Sequence, residues 1–270
     1  MKIIRFRDAD GHIHYGEWVD DTAARLIQGN IMGAHEVTDR IVSIEKLLAP
    51  IAPPTILCIG LNYRQHAEET GAKIPEHPVL FIKAANALNH PGDPIVIPRV
   101  APAEVDYECE LAVIIGRSAK NVPRSEALDY VLGYTCANDV SARRWQKEGG
   151  GKQWCRGKSF DTFCPLGPCL VTPEDIPNPN NLHIKTTLNG DTMQDSSTSD
   201  MIFDVPTLIS FLSEGTTLLP GTVILTGTPQ GVGFARTPPV FLNPGDRVTI
   251  EIERIGTLAN PVEMEGERME

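Results

Sequence analysis

The chain has no apolar run long enough to cross a bilayer. Hydrophobic residues make up 41% of its 270 positions, yet the longest apolar stretches, 111–116 and 222–225, fall far short of the ~20 residues that a spanning helix needs. The opening Met1-Lys2-Ile3-Ile4-Arg5-Phe6-Arg7-Asp8 also lacks the apolar run of a secretory signal. No membrane partner is expected. The expected location is cytoplasmic, or mitochondrial if the source is eukaryotic and a transit peptide has been removed. Positive charge is scarce: 24 Lys and Arg against 35 Asp and Glu give −11, which seven His cannot reverse at neutral pH. Such a surface repels a phosphate backbone, so nucleic acid is not an expected partner.

Other absences narrow the field further. Six cysteines, Cys58, Cys109, Cys136, Cys155, Cys164 and Cys169, lie scattered in a chain long enough to build its own core, so no disulfide framework is required. Cys164 and Cys169 are the closest pair, and no second Cys/His pair completes a zinc pattern. Regular alternation of strands and helices is missing, which disfavours a doubly wound parallel sheet. There is no internal repeat.

What is present reads as β-rich. Residues 1–7, 12–19 and 24–27 form short strand candidates around an Asp8-Ala9-Asp10-Gly11 turn. Residues 39–48 carry Ile41, Ile44 and Leu48 at helical spacing, stopped by Pro50, Pro53 and Pro54, and the best boundary falls at 49–55. From Thr55 onward the spacing predicts strands at 56–60, 80–83, 95–97, 108–116, 132–138, 183–188, 222–226 and 247–252. Helices are expected at 63–70, closed by Gly71, and at 205–212, with 194–203 as a polar loop leading into the latter. A β-dominated sandwich or rolled barrel is the expected architecture.

The most informative segment is Asp106-Tyr107-Glu108-Cys109-Glu110, because the strand period places Glu108 and Glu110 on one face. The apolar run that follows implies burial, and a buried like-charge pair needs either raised pKa values or a cation. An exposed, merely acidic strand start is the alternative. A second buried strand ends at Asn138-Asp139. Three carboxylates with water in the remaining positions suit Mg²⁺ or Mn²⁺, although Asp139 alone also reads as an Asx turn or a helix cap.

His66 and Glu69, at i and i+3, can act as a base with its orienting carboxylate, or form a surface salt bridge. Lys158 sits among aromatic and turn residues, where its ammonium either faces a pocket or snorkels to solvent. The 226–233 segment, Thr-Gly-Thr-Pro-Gln-Gly-Val-Gly, lacks the Gly-Lys-Ser/Thr ending of a phosphate loop. Its backbone N–H groups and the Thr228 hydroxyl can cradle a carboxylate, with a plain turn as the alternative.

In order along the chain, Asn62-Tyr63 with His66 and Glu69, the Glu108-x-Glu110 strand, Asn138-Asp139-Val-Ser-Ala-Arg143, Gly157-Lys158 through Pro168, Thr198-Ser199 before Phe203, and the Thr226 to Gly233 segment resemble the fumarylacetoacetate hydrolase family. The resemblance covers about 55–262 and is nearest the branch of fumarylacetoacetate hydrolase domain-containing proteins, through Gly151 to Trp154 and Pro238 to Leu242. It implies a mixed α/β, β-dominated fold of β-roll or sandwich type, with a small N-terminal β unit at 1–50 and a catalytic domain at 55–270. It further implies Mg²⁺ or Mn²⁺ on Glu108, Glu110 and Asp139, a homodimer, and α-keto or 1,3-dicarbonyl acid substrates. By the same resemblance His66 and Glu69 are the catalytic dyad and Lys158 the catalytic lysine. The resemblance also implies that Thr228 contacts the substrate carboxylate, and Arg64 and Gln194 are expected as further substrate contacts. Hydrolytic C–C cleavage of an acylpyruvate or fumarylacetoacetate-like substrate is the first expectation. Keto–enol tautomerisation or decarboxylation of oxaloacetate is the alternative, and a catalytically silent metal-binding protein the second. Two departures stand out: Arg144, where many relatives carry an acid, and the lack of a fourth acid shortly before His66.

Overall fold

The computed structural model describes residues 1–266. Its first strands are β1 (Lys2–Arg7), β2 (Ile13–Asp20), β3 (Ala23–Gly29), β4 (His35–Ser43) and β5 (Lys46–Leu48). Then come β6 (Ile56–Gly60), helix α1 (Arg64–Glu69), β7 (Val79–Lys83), β8 (Leu88–Asn89), β9 (Ile95–Ile97), β10 (Val105–Asp106) and β11 (Cys109–Ile115). The central part holds β12 (Val131–Asn138), β13 (Ser141–Ala142), helices α2 (Arg143–Gln146) and α3 (Trp154–Lys158), and β14 (Cys164–Val171). The last third holds β15 (His183–Leu188), β16 (Asp191–Ser197), α4 (Val205–Ser213), β17 (Val223–Leu225), β18 (Arg247–Ile252) and β19 (Gly256–Met264).

The largest sheet runs in the order β4-β3-β2-β1-β14-β12-β11-β17-β6-β7, and a second runs β16-β15-β18-β19-β9. Most pairings are antiparallel, with β6 and β17 a parallel exception. Strands β11 and β14 are buried along their whole length, as continuous apolar runs require. Each of Leu111, Val113, Ile114 and Ile115 gains about 1.5–3 kcal/mol from leaving water. The N-terminal strands extend the same large sheet, because Lys2 and Ile3 of β1 pair with Val171 and Leu170 of β14. No helix among the described residues is long and apolar enough to cross a membrane.

Two sequence expectations are corrected. Residues 39–48 are not helical: they fall in β4 and β5, where Val42 pairs with Ala24 and Leu48 with Arg5. Val37, Thr38, Ile41 and Val42 are β-branched, and their preference for a pleated surface outweighs an apolar spacing that fits a helix. Gln194 likewise lies not in a loop but in β16, the second arm of a hairpin with β15. The hairpin turns at Asn189 and Gly190, with φ of 55° and 93°, the pair of positive values that a two-residue turn of this hand needs.

A single side chain ties the site's first helix to this frame. The Asn62 amide donates to Thr226 O at 2.7 Å and Phe203 O at 3.0 Å, and its oxygen accepts from Phe203 N at 2.8 Å. Asn62 is fully buried, so nothing replaces these bonds when the amide is removed. Asn62→Ala is expected to lower unfolding free energy by about 2–4 kcal/mol, the sum of three ordinary bonds and the orphaned carbonyls. Urea denaturation with an unchanged slope measures it.

Candidate functional site

The register of β11 against β12 assembles the acidic centre. Cys109 pairs with Asn138, so Asp139, just beyond the strand, comes opposite Glu108, while Glu110 faces the small side chain of Ala137. Asp139 N donates to Glu108 O at 2.9 Å and Asn138 Oδ1 accepts from Glu108 N at 3.0 Å, which locks the alignment. The carboxylates of Glu108, Glu110 and Asp139 are all buried, with ligand oxygens within 4.8 Å of one another.

Three cations surround them. Lys158 Nζ, on α3, lies 2.7 Å from both Glu108 Oε2 and Asp139 Oδ2. Lys83, at the end of β7, donates to Asp139 Oδ1 and to Val140 O at 3.0 Å. Arg143, on α2, reaches Glu108 Oε1 at 2.6 Å and Asp106 Oδ2 at 2.7 Å. Burial acts to lower the Lys158 pKa, but Asp139 and Glu108 outweigh it and carry it well above its ordinary value. Lys158 is therefore an ammonium at neutral pH, a fixed positive charge and not a base. Burial pushes the Glu108 carboxyl up, yet Lys158 and Arg143 hold it down at about 2.

Glu110 differs. Among the described residues no cation lies within salt-bridge distance of it, and its oxygen accepts only from Gly227 N, at 2.7 Å. Burial first, then repulsion from Asp139 and Glu108, push its carboxyl well above the carboxylate range. A buried, all-oxygen donor set with one carboxylate uncompensated fits a hard divalent cation.

The 226–234 segment supplies the remaining fixtures. Gly227 N holds Glu110, Gly231 N holds Glu69 Oε2 at 2.9 Å, and Gly233 N and Phe234 N hold Asp106 at 2.8 and 3.0 Å. The segment thus cradles carboxylates of the chain itself. A Cβ at Gly233 would sit 1.9 Å from Val240 O and 2.5 Å from Asp106 Oδ1, so only glycine permits that approach.

A cavity of about 280 Å³ opens above the centre, lined by His66, Glu108, Glu110, Arg143, Lys158 and Thr228 among others. His66 Nδ1 is 2.7 Å from Glu69 Oε1, which leaves Nε2 as the ring nitrogen available to the cavity. Thr228 Oγ1 accepts from Gln194 Nε2 at 2.8 Å, and Gln194 is otherwise bonded to Pro229 O, Thr186 Oγ1 and Cys109 N. Gln194 therefore stands behind Thr228 and is not part of the cavity wall. Arg64 is also outside that wall: it donates to Asp200 O and Met201 O at 3.0 and 2.7 Å, bracing α1. Arg144 is exposed, 3.3 Å from Glu104, and touches none of the three carboxylates.

Sequence reasoning missed Lys83, and left Arg143 and Asp106 without roles. A lysine closing the apolar run Val79-Leu80-Phe81-Ile82 was the available signal for Lys83. Arg143 stands four residues after Asp139, but only the fold shows it facing Asp106 and Glu108.

The Glu110 environment has a measurable sign. Its raised folded-state pKa means that metal-stripped protein is most favoured below the ordinary value of 4.5 and loses that advantage as pH rises toward the folded value. A bound cation displaces the proton, so metal affinity is expected to rise with pH over the same window. At pH 8, stripped Glu110→Gln is expected to melt above stripped wild type. If the three carboxylates hold the cation, Mg²⁺ at a hundred times the wild-type Kd is expected to add about 2.7 kcal/mol to wild type and far less to the variant. Scanning calorimetry with and without Mg²⁺ checks both.

The family model described as fumarylacetoacetate (FAA) hydrolase C-terminal matches residues 55–263. An oxaloacetate tautomerase of Xenopus laevis, named as mitochondrial, is 52% identical over 217 residues, 80% of this chain and 68% of its own. A fumarylacetoacetate hydrolase domain-containing protein 2 homolog of Dictyostelium discoideum is 49% identical over 239 residues, 84% of this chain and 78% of its own. Among solved structures, a 2-hydroxyhepta-2,4-diene-1,7-dioate isomerase from Mycobacterium marinum superposes with a TM-score of 0.84 at 40% identity, covering 99% of this chain and 100% of that one. The matched stretch spans the acidic centre, the cradle and the dyad, and this chain belongs to the fumarylacetoacetate hydrolase family of enzymes.

Proposed function

We propose that this enzyme interconverts the keto and enol forms of a 2-oxo dicarboxylic acid, with oxaloacetate as the substrate, using Mg²⁺ or Mn²⁺ held by Glu108, Glu110 and Asp139. The observation that carries the reading is His66 on the wall of the acidic cavity, its Nδ1 held by Glu69, the one imidazole in a lining whose Lys158, Arg143 and Glu108 are paired with one another or with Asp139 and Asp106. Relatives at about half identity named as oxaloacetate tautomerases support the same choice. Hydrolytic C–C cleavage, the first expectation from the sequence, falls behind tautomerisation, and the silent metal-binding reading is set aside by membership in an enzyme family.

A bound divalent cation supplies positive charge that favours loss of a proton next to a ketone. His66 Nε2 takes that proton from C3 and delivers it to the C2 oxygen, and the reverse transfer regenerates the ketone. Glu69, fixed by Gly231 N, orients the ring through Nδ1 and stabilises the imidazolium that forms in between. Lys158, always protonated, holds Glu108 and Asp139 in place and keeps positive charge beside the developing enolate. Thr228, steadied by Gln194, offers a hydroxyl to the substrate carboxylate.

Loss of enol absorbance without release of pyruvate separates tautomerisation from decarboxylation. Pyruvate released from acetylpyruvate would instead mark cleavage and overturn the proposal if it were the faster reaction. His66→Ala is expected to cut tautomerisation by about 10²- to 10⁴-fold with Mg²⁺ affinity nearly intact, since the imidazole is not a ligand.

A further inference from the structure

The basic groups on the cavity wall are unequally committed. Lys158 is paired with Glu108 and Asp139, Arg143 with Asp106 and Glu108, and His66 with Glu69. Lys147 also lines the cavity, and among the described residues no carboxylate lies within salt-bridge distance of it. It follows α2 directly and is exposed, so it stands at the cavity mouth while the paired cations lie deeper.

Its position is nonetheless built. Lys147 N donates to Arg144 O at 3.2 Å and Lys147 O accepts from Lys152 N at 2.8 Å, which fixes the backbone on both sides. The ammonium lies 5.1 Å from the centre of the Phe234 ring, against which the Arg143 guanidinium also packs, at 4.4 Å. Phe234 is in turn held by its backbone N–H on Asp106. The aromatic face thus parks an unpaired ammonium beside the cavity at little cost in desolvation.

Resting on the tautomerase reading, we propose that Lys147 is a specificity residue that receives the distal carboxylate of a dicarboxylic substrate, the end remote from the acidic centre. The deep cations are neutralised by protein carboxylates, so an incoming dianion finds its only uncommitted lysine charge at the mouth. A 2-oxo acid with a single carboxylate has nothing to place there. Selection of dianions over monoanions therefore falls to a residue that takes no part in moving the proton.

The test uses the Mg²⁺-loaded protein and two anions, oxalate, which has no distal carboxylate, and malate, which has one. Calorimetry on Lys147→Met is expected to show malate binding weakened about tenfold, the size of one partly exposed charge-assisted hydrogen bond, with oxalate unchanged. Lys147→Arg restores malate binding. In turnover, Lys147→Met raises KM for oxaloacetate by a similar factor at nearly constant kcat, the pattern of binding lost equally from ground and transition states. Equal weakening of both anions, or unchanged malate affinity, overturns the assignment. If wild-type protein binds both anions yet does not interconvert oxaloacetate, the tautomerase reading falls, and the two affinities still decide the role of Lys147.

Discussion

Three carboxylates, Glu108, Glu110 and Asp139, share one buried space, and the surrounding structure answers to that crowding. Two like charges about 4 Å apart repel by roughly 4 kcal/mol at the effective dielectric of a protein site. Several such pairs would consume much of the 5–15 kcal/mol by which a domain is stable. The compensation comes from distant parts of the sequence: Lys83 from an edge strand, Arg143 and Lys158 from two short helices, and Gly227 N from the turn after β17. Neither α2 nor α3 has a side-chain cap, and each is too short to be stable alone, so their charged ends against the acidic centre help hold them.

The 226–234 segment shows how one stretch of backbone can organise a site without contributing a charged side chain to it. Its N–H groups meet Glu110, Glu69 and Asp106 in turn, linking a candidate ligand, the partner of the base, and the partner of Arg143. At Gly231, φ is 95° and a Cβ would lie 2.2 Å from Met193 O, so the N–H that fixes Glu69 depends on glycine at that point. A shift of this loop would disturb the dyad and the acidic centre together.

Much of this was legible in the sequence, and the reason differs by residue. Glu108 and Glu110 were readable because a strand has a strict two-residue period and an apolar run after an acid signals burial. His66 and Glu69 were readable because helical spacing brings i and i+3 together. The strands from Thr55 onward declared themselves by apolar runs between Pro and Gly. The helix expected at 39–48 failed because three apolar residues at helical spacing weigh less than a β-branched run paired with β3, and less than the pairing of Lys46 to Leu48 with β1. Arg64 and Gln194 show the harder limit. Both are polar residues in the right motifs, yet whether such a side chain faces a cavity or braces the backbone behind it depends on contacts 130 and more positions away for Arg64, and on the Thr228 turn for Gln194. No local pattern carries that information. The 226–233 segment, open in the sequence to a carboxylate cradle or a plain turn, holds the chain's own acids on its backbone N–H groups.

The same charge pattern divides the labour of the proposed reaction. Every strongly basic group in the depth of the cavity is locked as a cation by an acid, and Lys158 in particular is held too far above its ordinary pKa to accept a proton. Glu108 is held too low to donate one near neutrality. In the proposed reaction proton movement is left to His66, whose Glu69 partner is anchored from outside the acidic centre by Gly231. Relocating a proton between carbon and oxygen asks for one such group with access to both atoms. Hydrolysis asks in addition for a placed water and a protonated leaving group, and so for more than a single mobile proton. A cavity with one imidazole, a ring of paired charges and, among the described residues, an ammonium without a carboxylate partner at its mouth supports the proposed reading of the simpler reaction on a doubly charged substrate.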